Sequence, residues 1–174
     1  MIKFGRYEDI NKFKINSYNE LEEKIKNMPW NYPGVMLYTS DRMYRAKFSN
    51  PNFEKVHNLV KNQNNISYIV INSMYKEKNL PELLKYYPEF SEQAVYVNNR
   101  MLDYTTKLHE LYIKCKVKSV FVELEKNYKK SICDLHNLYK YERTQGNSKF
   151  KITYNVVCDL MRTYDPAYIY SLIM

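Results

Sequence analysis

The 174-residue chain is short of glycine, with three, and of histidine, also with three. So few glycines leave no glycine-rich phosphate loop, a device whose bare backbone must come close to the phosphate. His57, His109 and His136 are scattered. His109-Glu110 begins the zinc-protease pattern His-Glu-x-x-His, but Ile113 stands where the second histidine belongs, so no metal site is expected. Cys115, Cys133 and Cys158 are odd in number and show no Cys-x-x-Cys spacing, which reads as small buried hydrophobes in a reducing compartment. No apolar run approaches the roughly 20 residues needed to span a bilayer. The opening MIKFGRYEDI carries no hydrophobic signal-peptide region. A soluble, intracellular, cytoplasmic protein with no membrane partner is the expectation.

Positive charge is in surplus. Twenty-seven basic residues against 19 acidic give a net charge of +8. The excess is spread along the chain, so a positive surface has to be assembled by folding. Such a balance permits a polyanionic partner. Lysine outnumbers arginine 21 to 6, and there are 19 Asn and 19 Tyr, all residues with A/T-rich codons. Codon bias accounts for the aromatic content, which therefore does not by itself argue for base stacking.

At this length the chain forms one domain, or one large domain with a small appendage. Ile2–Phe4 and Phe13–Ile15 read as brief strands. Ser17-Tyr-Asn-Glu20 is a capping box opening a helix with Leu21, Ile25 and Met28 on one face, stopped by Pro29. Gly34–Thr39, the turn Ser40-Asp41 and Met43–Phe48 form a hairpin. Asn50-Pro51 is an N-cap followed by a first-turn proline, and Phe53, Val56, His57 and Val60 continue that helix. From residue 64 the pattern is helical: Ile66–Lys78, a short element after Pro81, and a long helix from Ser91 to Lys118. The long helix carries the stripe Ala94, Val97, Met101, Tyr104, Leu108, Leu111 and Cys115, a bundle seam. Ser119 is expected to cap a further helix with Phe121, Leu124, Tyr128, Ile132, Leu135 and Tyr139 inward. Thr153 and Asp165-Pro166 start two more. The fold class is mainly α: a small α+β piece over 1–63 with a β-hairpin, then an all-α domain over 64–174.

Two groups of cations stand out. Arg45 and Lys47 alternate along one strand face, about 6.5–7 Å apart, a spacing that suits neighbouring phosphates. A solvated outer face of a hairpin would have the same pattern. Lys114, Lys116 and Lys118 end the long helix and offer a nucleic-acid rim, or simply solvated charge that is favourable at a helix C-terminus.

The hairpin stretch resembles the phage-type ATP-dependent RNA ligases and their relatives in large DNA viruses. Tyr32-Pro33-Gly34-Val35 falls where that family has a Glu-Gly strand. Arg45-Ala46-Lys47 falls on its phosphate-contacting Lys-x-Lys strand, and Asn50-Pro51-Asn52-Phe53 on the helix that follows. Lys107–Tyr112 and Asp134–Tyr139 are similar to the helical extension after such cores. The resemblance implies that Arg45 and Lys47 bind phosphate or nucleotide. The nucleophile motif Lys-x-Asp-Gly is nowhere in the chain, and Pro33 replaces the motif's glutamate. The chain therefore looks like the C-terminal part of a ligase-like protein, inactive alone. No catalytic residue or cofactor of its own is expected, and ATP with magnesium enters only if a ligase catalytic domain is supplied in trans. RNA or DNA is the expected partner, in a host cytoplasm if the chain is viral. The alternatives are a helical protein-interaction module and the C-terminal half of a split RNA ligase.

Overall fold

The computed structural model describes residues 17–174 apart from positions 40 and 42. The strands expected at 2–4 and 13–15, and Ser40 of the expected turn, lie outside the described residues. The chain divides into two compact units, Met1–Asn64 and Asn65–Met174. Among the described residues it is mainly α-helical, with one two-stranded antiparallel sheet.

In the first unit, α1 (Tyr18–Lys26) starts where the Ser17 hydroxyl accepts the Glu20 N–H at 3.2 Å. It presents Leu21 and Ile25 to Val35 on β1 (Gly34–Tyr38), with Met28, Leu37 and Phe48 packed around them. β2 (Arg45–Ser49) pairs with β1 in the register Val35↔Phe48, Met36↔Lys47, Leu37↔Ala46 and Tyr38↔Arg45. Gly34 sits at φ +132°, where an added Cβ would lie 2.1 Å from the Phe48 carbonyl oxygen. Only glycine lets the strands come that close. α2 (Pro51–Val60) buries Val56 and Val60.

Asn50 is the fastening of this unit. It is fully buried, its Oδ1 accepts the Asn52 N–H at 3.0 Å, and its Nδ2 donates to the carbonyls of Pro29 and Tyr32 at 2.8 and 2.9 Å. Asn52 adds bonds from its Nδ2 to the carbonyls of Lys26 and Met28. The two asparagines thus add side-chain donors to the backbone of the turn between α1 and β1, where the Tyr32 N–H also bonds the Pro29 carbonyl at 3.1 Å.

The second unit is helical throughout. α3 (Ile66–Ile71) continues as a π turn, Asn72–Lys76. α4 (Leu80–Tyr86) and a 3₁₀ turn at Pro88–Phe90 lead into the 22-residue α5 (Ser91–Tyr112). α5 ends in a second π turn, Ile113–Val117. α6 (Lys126–Thr144), α7 (Tyr154–Thr163) and α8 (Pro166–Ile173) complete the unit. α5 is central and packs against α3, α6, α7 and α8. The expected stripe is buried at Ala94, Val97, Met101, Tyr104 and Leu108, then drifts to Tyr112, because a 3.6-residue helix does not hold a seven-residue repeat. Tyr104 donates its phenol to the Asn127 carbonyl at 2.9 Å, lies 3.0 Å from the Ser131 hydroxyl and stacks on Tyr128.

Two expectations fail. Cys133 is exposed, because the buried positions of α6 are Tyr128, Ser131, Ile132 and Leu135 and position 133 lies off that face. Residues 119–125 are not the first turn of a helix, Ser119 is not a cap, and Phe121 is 94% exposed. The π turn closes with Lys118 N–H on Ile113 O and Val120 N–H on Lys114 O, both at 3.0 Å. Ser119 then takes a left-handed φ of +53°, which breaks the helical ladder. The β-branched and aromatic run Val120-Phe121-Val122 that follows favours extended backbone.

Candidate nucleic-acid interface

The hairpin builds a two-faced surface from its register. Directly opposed residues share a face. Val35, Leu37, Ala46 and Phe48 make up one face, which carries the packing on α1. The other face carries Met36 opposite Lys47 and Tyr38 opposite Arg45. Arg45, Lys47 and Tyr38 are exposed, Tyr38 at 57%. Among the described residues neither cation makes an ion pair or a hydrogen bond.

The hairpin end is held by its own side chains. Asp41 accepts the Met43 N–H at 3.0 Å and the Thr39 hydroxyl, and Thr39 accepts the Tyr44 N–H at 3.1 Å. These donors, Thr39 first, hold the Asp41 carboxyl below its ordinary value, so it stays an anion used within the turn. Met43 and Tyr44 are 75% and 71% exposed and extend the apolar, aromatic character of the tip.

The sequence motifs acquire local explanations. Asn50-Pro51-Asn52 fastens the turn before β1, and Gly34 allows the close strand approach. The Pro33 carbonyl accepts the Asn50 N–H at 3.1 Å. Pro33 offers no carboxylate. Among the described residues no cluster of three or more His, Cys, Asp or Glu is placed to hold a metal ion. No helix among them is long and apolar enough to cross a membrane.

Lys114, Lys116 and Lys118, all exposed, lie on or just after the π turn that ends α5. Lys116 lines a cleft of about 590 Å³ together with Lys129, Cys115, Val122, Leu124 and Cys133, while Lys114 and Lys118 lie outside its lining. None of the three lysines is taken up by an acidic side chain among the described residues. Lys107 and Lys130 are, by contrast, engaged. Lys107 pairs with Glu125 at 2.8 Å and Lys130 sits 4.3 Å from the Tyr168 ring centre.

Sequence reasoning found the two hairpin cations but missed Tyr38. The signal was available: a two-stranded register counted from the Thr39–Tyr44 turn sets Tyr38 across from Arg45. Missed too was the exposed run after Ser119, where apolar spacing compatible with a helix concealed alternation in an extended segment.

No protein-family model, no curated protein and no solved structure matches the chain.

Proposed function

We propose that the chain is a non-catalytic, RNA ligase-like protein that binds nucleic acid, or nucleotide phosphates, through the outer face of its hairpin. The observation that carries this reading is the Tyr38–Arg45 cross-strand pair with Lys47 one step along the same face. An exposed ring beside two unpaired cations combines a stacking surface with charges for consecutive phosphates, the pairing of functions by which single strands are held. The overall surplus of base over acid supports the same reading by adding long-range attraction.

The test is fluorescence anisotropy with labelled single-stranded RNA and DNA across a salt series. Affinity should fall steeply with salt. Joint Arg45→Ala and Lys47→Ala substitution should weaken binding and flatten the log–log salt slope by about 1.4, the loss of two phosphate contacts on a single strand. Tyr38→Ala should weaken binding with the slope unchanged. Unchanged affinity and slope in the double variant would remove the hairpin from the interface.

A further inference from the structure

The segment from Val120 to Glu125 is neither helix nor strand, and it belongs to no sheet. Among the described residues, the N–H groups of 121–125 meet no acceptor and the carbonyls of 119–124 meet no donor. Its burial alternates: Val122 and Leu124 are half-buried over the cleft, Phe121 lines the cleft mouth but is exposed, and Glu123 and Glu125 are exposed and outside the lining. Beside them Val117 and Val120 are 64% and 52% exposed. A solvent-facing run of unpaired backbone in a β-prone, apolar sequence is the template on which another strand adds.

We propose that this segment is a docking strand for an extended, acidic segment of a partner protein, which adds beside residues 120–124 and places carboxylates on the lysines around the cleft. Charge selects the occupant. Between residues 113 and 130 there are six lysines against two glutamates, and Glu125 is already paired with Lys107. Lys116 and Lys129 line the cleft beside the strand with no acidic partner among the described residues. A second copy of this chain would bring the same lysines together, and like charge disfavours that pairing. A nucleic acid would meet the lysines and Phe121 but could not follow alternating N–H and C=O groups at strand spacing. A peptide backbone does both. The surface lies wholly within the helical unit and does not depend on the hairpin.

The probe is an N-acetylated peptide of alternating valine and glutamate, with a proline-interrupted peptide of equal charge and a single-stranded oligothymidylate as comparisons. Amide exchange of the full chain is followed by NMR. The valine–glutamate peptide alone should slow exchange at Phe121–Leu124. Phe121→Asp, at a side chain too exposed to affect folding, should weaken the peptide about tenfold, and Val122→Pro by a similar factor through one lost ladder bond. Circular dichroism of both variants should match the parent. Absence of slowed exchange at saturating peptide, or equal binding of the proline-interrupted control, would overturn the proposal. Equal protection by the oligothymidylate would reassign the surface to nucleic acid, and protection arising from dimer formation in free protein would assign it to a second copy. Either result overturns it as well.

Discussion

Two non-helical stretches among the described residues differ in what they leave unused. In the hairpin over Gly34–Ser49, the strands pair through their backbones, and the surplus is in side chains: Arg45, Lys47 and Tyr38 on one face. From Phe121 to Leu124 neither the N–H groups nor the carbonyls have a partner among the described residues, and the nearby lysines only flank the segment. A paired ribbon can recognise a ligand only through side chains, which suits phosphates and rings. An unpaired strand offers main-chain bonds, which suit another polypeptide. The two stretches therefore carry the two proposed classes of ligand, and each proposal is tested by removing what its stretch has in surplus.

The largest expected effect tests whether the hairpin unit is fastened and the 119–125 segment is not. Asn50→Ala removes the N-cap acceptor and the buried Nδ2 donor that is shared between the carbonyls of Pro29 and Tyr32, and should cost about 3 kcal/mol of unfolding free energy. Denaturant unfolding followed by amide exchange in residues 34–60 reads it. Phe121→Ala, in the free segment, should change stability by less than about 0.5 kcal/mol, as for other exposed positions. Comparable costs at the two sites would mean that the exposed segment has hidden structural support.

A smaller effect probes the core beneath the free segment. Burial pushes the Tyr104 phenol well above its ordinary range, so it stays a neutral donor to the Asn127 carbonyl beside the start of α6. Tyr104→Phe keeps the ring stacked on Tyr128 but leaves that carbonyl and the Ser131 hydroxyl short of a partner. The expected cost is about 1–2 kcal/mol in thermal or denaturant unfolding, with hairpin binding of nucleic acid unchanged.

These contrasts also explain what could be read from the sequence. Caps at Ser17, Asn50, Thr153 and Asp165 were legible because a capping side chain acts within three residues of itself. The α5 stripe was legible because its apolar spacing matches the helix period over 22 residues. Residues 119–125 were not, since Phe121, Leu124 and Tyr128 happen to be spaced as on a helix. The deciding event is the left-handed turn at Ser119 after a π turn, and neither leaves a periodic trace. The cations at 45 and 47 were visible, but their lack of acidic neighbours was not, because ion pairing depends on contacts between elements. The cleft between the π turn and α6 was invisible for the same reason.

The smallest effect concerns His136, on α6. Its Nδ1 is buried without a partner, and its ring packs near Tyr112 and on Tyr139. Burial first, then the charges of Lys116 and Lys140, lower its pKa from the ordinary value of 6.5. The neutral ring is thus favoured in the folded chain, while the unfolded chain takes up a proton near the ordinary value. Stability from this group is full above about pH 6.5, declines as pH falls through that value, and levels off once the folded ring is protonated too. The unfolding midpoint of the helical unit should show this shallow decline, and His136→Gln should remove it. The same residue reports on the docking strand. Carboxylates brought to Lys116 would offset the cationic field and raise the His136 pKa. An NMR titration of the His136 ring, with and without the valine–glutamate peptide, should show an upward shift with the peptide. If the peptide binds and the titration does not move, its carboxylates do not reach Lys116, and the charge argument for the occupant fails even if strand addition holds.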